Sequence, residues 1–441
     1  MIKSYRFNII LANEGWERDV FISVNTDGKI THKETYTHQK VDEHIKGITL
    51  PGFQNAHSHA FQYAMAGKAE IHSHHKADNF WSWREAMYKL ALSLTPEQIE
   101  TIAAMLYAEM VRHGYTNVAE FHYLHHDVNG NTYNNLSETG ERLIAAAEKA
   151  GIAITLVPIF YQKGGFEQAP SENQKRFISP TTEAYLKLLE ANNKSCKLYQ
   201  NANIGMGVHS IRAVEEKSIL STIEHGPQNV PFHIHVSEQL KEIEAAIEFL
   251  KQRPVEFLLS NIDLNNRFHL VHATHLTEKE TIALAKSKAN VVLCPTTEGN
   301  LGDGLFPFHL YKQHNGAWSI GTDSHIGINP FEELRMLDYG QRLTTHQRNT
   351  FVTTTQLDSG MYALQSNLMA GRKAMNNFSN KCFEIGADFN AVVLDENAPL
   401  LANVEDKYLA SKIVYTSNAT MIKGTFVNGK FYEVNDTENY Q

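Results

Sequence analysis

Cysteine is scarce in this chain of 441 residues, which contains only Cys196, Cys294 and Cys382. The number is odd, the three positions are far apart, and none belongs to a Cys-x-x-Cys pair. A disulfide framework would need an even set of cysteines at close spacings. The pattern therefore favours reduced thiols, and we expect a cytoplasmic protein.

Long apolar runs are also lacking. No stretch approaches the roughly 18 to 20 apolar residues of a membrane span. The first residues, "MIKSYRFNIILANEGWERDVFISV", alternate as β-strands do and contain neither a long apolar segment nor a small-residue cleavage site. We therefore expect no signal peptide and no membrane partner.

Positive charge is in deficit, with 40 Lys and Arg against 49 Asp and Glu, a formal net charge of −9. A surface that binds nucleic acid normally carries a basic excess, so we expect no nucleic-acid partner. With 42% hydrophobic and 20% charged residues, the composition is that of an ordinary globular protein.

Histidine, by contrast, is abundant, with 23 residues. Random placement at this composition gives roughly one His-x-His pair. The chain has three, namely His57/His59, His72/His74 and His233/His235. The pattern alone is therefore weak, and the position of each pair in the fold decides its meaning.

Short apolar runs alternate with helical patterns along most of the chain. Eight strands are predicted, starting near residues 48, 116, 152, 203, 230, 268, 290 and 318. Among the helices, "TPEQIETIAAMLYAEMVRHG" has Thr95 as a cap, Pro96 at its first position and Gly114 beyond its end. This alternation predicts an α/β fold, a (β/α)8 barrel; a doubly wound sheet is the alternative.

Both ends of the chain have a residue pattern that differs from the alternation of strands and helices in its middle. Residues 1–50 consist of short strands, and residues 383–441 return to strands with a hairpin signal at Asn428-Gly429. We predict a small β-sandwich domain formed by residues 1–50 and 383–441, flanking a metal-dependent barrel at residues 51–382.

Several metal-binding side chains follow the predicted barrel strands. His57 and His59 follow strand one, His235 lies in strand five, His272 in strand six, and Asp323 ends strand eight. Barrel enzymes keep their chemistry at this end of the strands. The pair His72/His74 falls in the polar segment "IHSHHKAD" and is predicted to lie in a loop.

These residue types suit a divalent metal. Histidines two apart on an extended segment point to one side, and a third histidine with a carboxylate completes a donor set typical of Zn²⁺. Such an ion activates water near neutral pH. Glu238, three residues after His235, is placed to move protons.

Three alternatives compete within this set. His233 competes with His235 as a ligand, and His275 competes with His272 for the place at the end of strand six. Asp323 also suits the role of a helix cap. The spacing of Glu238 favours His235, and the strand-end position favours His272.

The ordered set resembles the amidohydrolase superfamily, in the branch that binds one metal and lacks a carbamylated lysine. Strand four ends in His209 and offers no lysine, which agrees with that branch. The segments "HSHAFQYAMAG", "NFWSWRE", "GVHSIRAV" and "CPTTEGNLGDGLFP" are similar, in order, to those of members that hydrolyse N-formimino-L-glutamate to N-formyl-L-glutamate and ammonia in histidine degradation. The likeness runs from about Pro51 to Arg342.

The resemblance implies a role for each of several residues, a small dianionic amidine as the substrate, and a homodimer. The implied metal ligands are His57, His59, His235 and Asp323; the implied catalytic residues are Glu238, His272 and Asp323; the implied substrate contacts are Gln62, Arg84, Tyr123, His209 and Arg212. Tyr63 is a departure, because arginine is expected there.

A mechanism follows as a hypothesis. Asp323 accepts a proton from the attacking water, and Glu238 carries a proton to the departing ammonia. His272 orients the water and stabilises the tetrahedral intermediate. A substrate with two carboxylates needs cationic partners, which bidentate arginines supply.

Two other functions stay open. A related enzyme that deaminates a ring amidine, such as guanine, cytosine or a triazine, would keep the metal ligands without needing two carboxylate-binding arginines. A non-catalytic metal-binding barrel would be expected to lose Glu238, His272 or Asp323 first, and all three are present.

Overall fold

The computed structural model describes residues 2–71, 79–348 and 350–434. Its strands, in chain order, are β1 Lys3–Ala12, β2 Gly15–Val24, β3 Ile30–Thr35, β4 Glu43–Pro51, β5 Phe53–Ser58, β6 Tyr115–His122, β7 Ala153–Phe160, β8 Ala202–Ile204, β9 Met206–Val208, β10 Phe232–Val236, β11 Phe268–His272, β12 Asn290–Leu293, β13 Ala317–Ile320, β14 Ala391–Leu394, β15 Ile422–Val427 and β16 Lys430–Glu433.

Most of the helices alternate along the chain with the strands of the larger sheet. They are α1 Phe80–Ala91, α2 Pro96–Arg112, α3 Glu138–Ala150, α4 Thr182–Cys196, α5 Glu216–His225, α6 Leu240–Leu250, α7 Pro254–Asn261, α8 Glu278–Ser287, α9 Pro295–Leu301, α10 Phe308–Gln313, α11 Pro330–Thr345, α12 Ser359–Ala374 and α13 Asp406–Thr416, with short 3₁₀ helices at Ala60–Met65, Lys68–Glu70, Glu172–Gln174 and Ala419–Met421.

Strands β5 to β13 form a parallel sheet that closes on itself. Its order is β5, β6, β7, β9, β10, β11, β12 and β13, with β8 paired to β7. Backbone bonds from Thr322 N and Asp323 N to His57 O, each 3.1 Å, join the end of β13 to β5. The (β/α)8 barrel is confirmed, and the doubly wound alternative does not apply.

The first barrel strand begins later than predicted. The run "GITLPGF" was expected to start the barrel near residue 48, but Ile48 to Pro51 belong to β4 of the other sheet, where they pair with β14. Gly52 lies between the two strands. Only glycine fits there, because a Cβ would lie 2.2 Å from a side-chain atom of Thr116. One continuous apolar run therefore serves two sheets.

The predicted strand "ANIGMGVHS" is divided at Gly205. Gly205 N donates to Leu156 O of β7 at 2.8 Å, whereas Met206 N donates to Pro231 O beside β10 at 2.9 Å. β8 pairs with β7 alone, whereas β9 pairs with both β7 and β10. The strand ends at Val208, one residue before the predicted end at His209.

The small domain is a seven-stranded mixed sheet built from both ends of the described chain, in the order β16, β15, β14, β4, β1, β2, β3. Its core is aromatic: Tyr5 and Phe426 lie 5.4 Å apart between ring centroids, and Phe7 and Phe389 lie 5.5 Å apart. The predicted sandwich-type domain from both termini is confirmed; the domain limits at residues 50 and 383 stay a prediction.

Local signals explain the best-predicted helix. Thr95 and Gln98 form a capping box at the start of α2, with Pro96 in the first turn, and Gly114 follows its end at φ +87°. These features satisfy backbone groups that the helix leaves unpaired. Across the described ranges, no helix combines the length and apolar character that crossing a membrane requires.

Candidate metal centre and active site

The ends of β5 and β13 approach each other closely at the top of the barrel. His59 N donates to Asp323 O at 3.1 Å, so the His-x-His segment is held against the residues that follow β13. Gly321 permits this approach, because a Cβ there would lie 2.7 to 2.9 Å from atoms of His57. The backbone thus brings the histidine pair and the carboxylate to one place.

Three histidine nitrogens converge at that place. His57 Nε2 lies 3.2 Å from His59 Nε2 and 3.1 Å from His235 Nε2. Tetrahedral ligands at 2.0 to 2.1 Å from Zn²⁺ would lie about 3.3 Å apart, so the spacing suits one ion. His59 Nδ1 donates to Phe121 O at 2.9 Å, which leaves Nε2 free of its proton.

The electrostatics of the trio agree with a ligand role. Burial and the neighbouring histidines lower the pKa of His57 and His235, and burial lowers the pKa of His59 to about 3. All three are therefore neutral at pH 7, which is the form that binds metal. An arrangement of three crowded acceptor nitrogens fits a cation better than it fits hydrogen bonds.

Asp323 lies beside the trio and completes an N₃O donor set. Its Oδ1 is 3.5 Å from His59 Nε2 and 3.8 Å from His57 Nε2. Burial raises the pKa of Asp323 to about 6, so the carboxylate gains from a nearby cation. The residues present thus fit a divalent metal.

His272 connects Asp323 to two further carboxylates. Its Nε2 lies 3.3 Å from Asp323 Oδ2 and 3.6 Å from Glu238 Oε1, and its Nδ1 lies 3.3 Å from Glu298 Oε1. Burial alone lowers the pKa of His272, but these carboxylates outweigh it and raise the pKa to about 10. His272 is therefore positioned and charged by its neighbours.

Backbone conformation at the strand ends is unusual. Ser237, His272 and Asp323 have φ values of +53°, +67° and +50°, in the left-handed region that side chains rarely occupy. Each such residue costs on the order of 1–3 kcal/mol, and such residues cluster at functional sites. Two of these residues, His272 and Asp323, line the chamber.

Gln62, Tyr123 and His209 form one wall of the chamber above the histidine trio. Gln62 Nε2 donates to Tyr123 Oη at 3.0 Å. The ring of Tyr123 lies 5.2 Å from that of His59 and 5.7 Å from that of His209. Among the described residues Gln62 Oε1 has no hydrogen-bond partner, so it is available to a ligand.

Arg84 and Arg212 also line the chamber, and both lie near Trp81. Their guanidinium carbons lie 4.4 Å and 6.0 Å from its ring centroid. Arg84 Nη1 and Arg212 Nε are buried without a partner within the described part of the chain. Both arginines border the small inner chamber, about 40 Å³, and also a larger outer cavity of about 730 Å³.

The remaining sequence candidates lie elsewhere. His233 does not join the centre, because its Nε2 forms a hydrogen bond of 3.2 Å with Ala374 O. His275 lies in the loop beside Gly304. Tyr63 borders a cavity against α2 and does not line the chamber. His72 and His74 lie outside the described residues.

Sequence reasoning missed three buried acids around the site. Glu298 bonds His272 and accepts from Cys294 N at 2.9 Å. Asp303 comes within 4.8 Å of ligand atoms of Glu238 and His272. Glu120 accepts from Ser58 Oγ at 2.6 Å and from Ala60 N at 2.7 Å, on both sides of His59. Only Glu120, near the end of strand β6, had a signal in the sequence, because a carboxylate there lies at the end of a barrel strand.

The fold and this site define a class of protein. A model of the amidohydrolase family matches residues 48–432, which include every residue of the site. The chain belongs to the amidohydrolase family.

Individual relatives agree with this assignment. The chain is 39% identical over 422 residues to a formimidoylglutamate deiminase of Pseudomonas aeruginosa, covering 96% of this chain and 92% of that protein. It is 38% identical to an amidohydrolase from Brucella melitensis whose crystal structure superposes with a TM-score of 0.91, over 97% of this chain and 94% of that one.

A more distant structure shares the fold. It is an adenosine deaminase from Xanthomonas campestris with bound zinc, 18% identical, with a TM-score of 0.80 over 97% of this chain and 92% of that one. At this identity the likeness shows the architecture alone.

Proposed function

We propose that this protein hydrolyses N-formimino-L-glutamate to N-formyl-L-glutamate and ammonia. One observation carries the proposal: the histidine trio with Asp323, and two arginines that each have a buried nitrogen without a partner among the described residues, border the same small chamber. The centre suits hydrolysis of a C–N bond, and the arginines suit a substrate with two carboxylates. The identity to the Pseudomonas aeruginosa enzyme supports the same reaction.

The metal centre would consist of His57, His59, His235 and Asp323. Three neutral imidazoles and a carboxylate are typical donors for Zn²⁺, and we propose zinc as the ion. When bound, the ion lowers the pKa of the attacking water and polarises the C=N bond. The remaining chemistry belongs to side chains of this chain.

Proton movement falls to Asp323, His272 and Glu238. Water attacks the formimino carbon as Asp323 takes a proton from it, and Glu238 protonates the imine nitrogen as the C–O bond forms. Asp323 then passes the proton from the water to the same nitrogen, and Glu238 recovers a proton from the hydroxyl group of the tetrahedral intermediate as the C–N bond breaks and ammonia leaves. The nitrogen thus gains two protons, the water loses two, and both carboxyl groups return to their starting states.

The geometry supports these roles. His272 Nε2 lies 3.3 Å from Asp323 Oδ2 and 3.6 Å from Glu238 Oε1. It therefore contacts both of the carboxylates that would move the protons. Burial raises the pKa of Glu238, which favours the protonated form that must donate to the leaving nitrogen.

Substrate binding would fall to five residues around the chamber. Arg84 and Arg212 pair with the carboxylates of the dianion, while Gln62, Tyr123 and His209 contact its formimino end. A ring-amidine deaminase would need no such arginine pair, and no separate observation favours that alternative.

The test is product analysis with metal-loaded protein and N-formimino-L-glutamate. We expect ammonia and N-formyl-L-glutamate in equal amounts, and no release by a Asp323→Asn variant. Absence of both products from folded, metal-loaded parent protein would refute the proposal. Turnover by Asp323→Asn at the parent rate would refute the assigned site.

Further expectations from the sequence stay predictions. They are a cytoplasmic location, a homodimer, the absence of a nucleic-acid partner, and the division of the chain into a barrel at residues 51–382 and a small domain at residues 1–50 and 383–441.

A further inference from the structure

Two tyrosines border the chamber beside the arginines, and neither is one of the five proposed substrate contacts. Tyr88 lies on α1, one helical turn after Arg84, and Tyr161 follows the end of β7. Both are buried, and both line the chamber that Arg84 and Arg212 border. Their hydroxyl oxygens lie 3.5 Å apart.

Gln174 fixes the direction of both hydroxyl groups. This side chain is 3% exposed, and its Nε2 lies 2.8 Å from Tyr161 Oη and 3.2 Å from Tyr88 Oη. Its Oε1 accepts from Ser171 N at 2.9 Å and from Ser171 Oγ at 3.1 Å. Because the oxygen is occupied by two donors, the amide nitrogen must face the tyrosines.

This orientation makes the tyrosines donors. Each phenol oxygen already accepts a hydrogen from Gln174, so each phenol proton must be donated elsewhere. At most one of them can be donated to the other tyrosine. At least one O–H is therefore left without an acceptor among the described residues and is available to a ligand. Burial raises the pKa of Tyr161, which keeps that group protonated at neutral pH.

The neighbouring charges indicate which ligand. Arg84 lies with its guanidinium carbon 5.5 Å from the ring centroid of Tyr88. Arg84 Nη1 and Arg212 Nε have no partner among the described residues. Buried donors without an acceptor are costly, so two cations and a phenol group at one wall call for an anion with several acceptor atoms. A carboxylate fits.

We propose that Tyr88 and Tyr161, oriented by Gln174, donate hydrogen bonds to a substrate carboxylate held by Arg84 and Arg212. The tyrosines are specificity residues, and Gln174 is a positioning residue that acts through them. This inference rests on the proposed function for the identity of the dianion, but the subsite is defined by its own contacts.

The first experiment measures steady-state kinetics of Tyr88→Phe, Tyr161→Phe and Gln174→Glu with N-formimino-L-glutamate. The phenylalanine variants remove a donor, and glutamate at position 174 accepts the phenol protons and so turns them from the chamber. We expect at least one tyrosine variant, and Gln174→Glu, to raise KM roughly 10-fold with kcat changed less than about threefold. Tyr311→Phe is the control, since buried Tyr311 bonds Ala317 O at 2.9 Å, outside the chamber.

Truncated substrates separate recognition from a structural effect. N-formimino-L-glutamine lacks the side-chain carboxylate, and N-formimino-4-aminobutyrate lacks the α-carboxylate. The analogue without the contacted carboxylate should show the same KM in parent and variant. Equal losses on all three substrates, or an unchanged KM in both tyrosine variants, would overturn the inference.

Calorimetric titration with N-formyl-L-glutamate tests the subsite without turnover. We expect the affected variants to bind this dianion roughly 10-fold more weakly than the parent. If the parent and both tyrosine variants bind this dianion with equal affinity, the inference fails even though the proposed function stands. If the parent releases no ammonia yet the variants bind more weakly, the proposed reaction fails and the subsite stands. A parent that does not bind the dianion overturns the subsite.

Discussion

Individual side chains carry the chemistry, and Glu238 is the most direct test at this scale. Replacing it with Gln keeps its size and removes its ability to exchange a proton. We expect kcat to fall by about 10²–10⁴-fold, with metal content unchanged because Glu238 is no ligand. Steady-state kinetics and metal analysis on the same preparation check this.

Glu244→Gln is the matched control, since Glu244 is exposed on the following helix, α6. It should keep parental kcat. Parental turnover by Glu238→Gln would remove this residue from the mechanism, and loss of metal in that variant would assign it a binding role instead.

Glu298 offers a second test, because it acts through His272. Its carboxylate accepts from His272 Nδ1 and so directs the opposite nitrogen, Nε2, toward Asp323 and Glu238. Glu298→Gln should lower kcat by roughly 10–100-fold with little change in KM. A variant with parental kcat would show that the orientation of His272 does not depend on Glu298.

Site residues that belong to a motif of fixed spacing could be identified from the sequence. Site residues that reach the centre only through the packing of distant segments could not. His57, His59 and His235 were found because strand ends and the His-x-His spacing place them. In the structure, Nε2 of His59 and Nε2 of His235 lie 3.2 and 3.1 Å from Nε2 of His57. Glu298 and Asp303 were missed because α9 and the turn after it bring them to His272, and no short-range pattern encodes that approach. The functional roles of all these residues stay predictions.

At the scale of the elements, a contact between helices α9 and α11 predicts how the stability of the fold depends on pH. Glu333 on α11 is buried, and its carboxyl group accepts from Thr296 N and Oγ1 on α9 at 3.0 and 2.5 Å. Burial raises the pKa of Glu333 to about 8 from its ordinary 4.5. The folded state thus binds this proton more tightly than the unfolded state does.

The sign follows from linkage. Between about pH 4.5 and 8 the unfolded carboxyl group ionises while the folded one keeps its proton, so this group's contribution to the free energy of unfolding falls as pH rises. Thermal unfolding at pH 5 and pH 8 should show a smaller loss of Tm in Glu333→Gln than in the parent. Glu332→Gln, at an exposed neighbouring position, should behave as the parent. Equal losses in all three would contradict the account.

Some boundaries of helices and strands could be predicted from the sequence, and others could not. The α2 boundaries followed from Thr95, Pro96 and Gly114, which act locally. The start of the first barrel strand did not, because Ile48 to Pro51 are as apolar as Phe53 and only pairing with β14 assigns them to the small sheet. Periodicity identifies a strand but not the sheet it joins.

At the scale of the whole molecule, metal binding should stabilise the fold. The proposed ligands come from β5 and the residue after it, from β10 and from the residues after β13, so one ion would link distant parts of the barrel wall. Without it, Asp323 and three crowded nitrogens are left buried. Chelation should lower Tm by several degrees, and Zn²⁺ in excess should restore it.

His235→Asn is the control for this prediction, because it removes one ligand. Its Tm should respond little to chelator. A parent whose Tm is the same before and after complete metal removal, verified by elemental analysis, would show that the ion contributes nothing to folding.

The central claim is that the chamber serves a linear dianionic amidine. It is tested most directly by measuring kcat/KM of the metal-loaded protein on N-formimino-L-glutamate and, in the same preparation, on guanine, cytosine and adenosine. The account predicts ammonia release from the linear substrate and at least about 10³-fold lower values for the rings, which leave Arg84 and Arg212 without carboxylate partners. A ring amidine turned over as well as N-formimino-L-glutamate, or better, would contradict it.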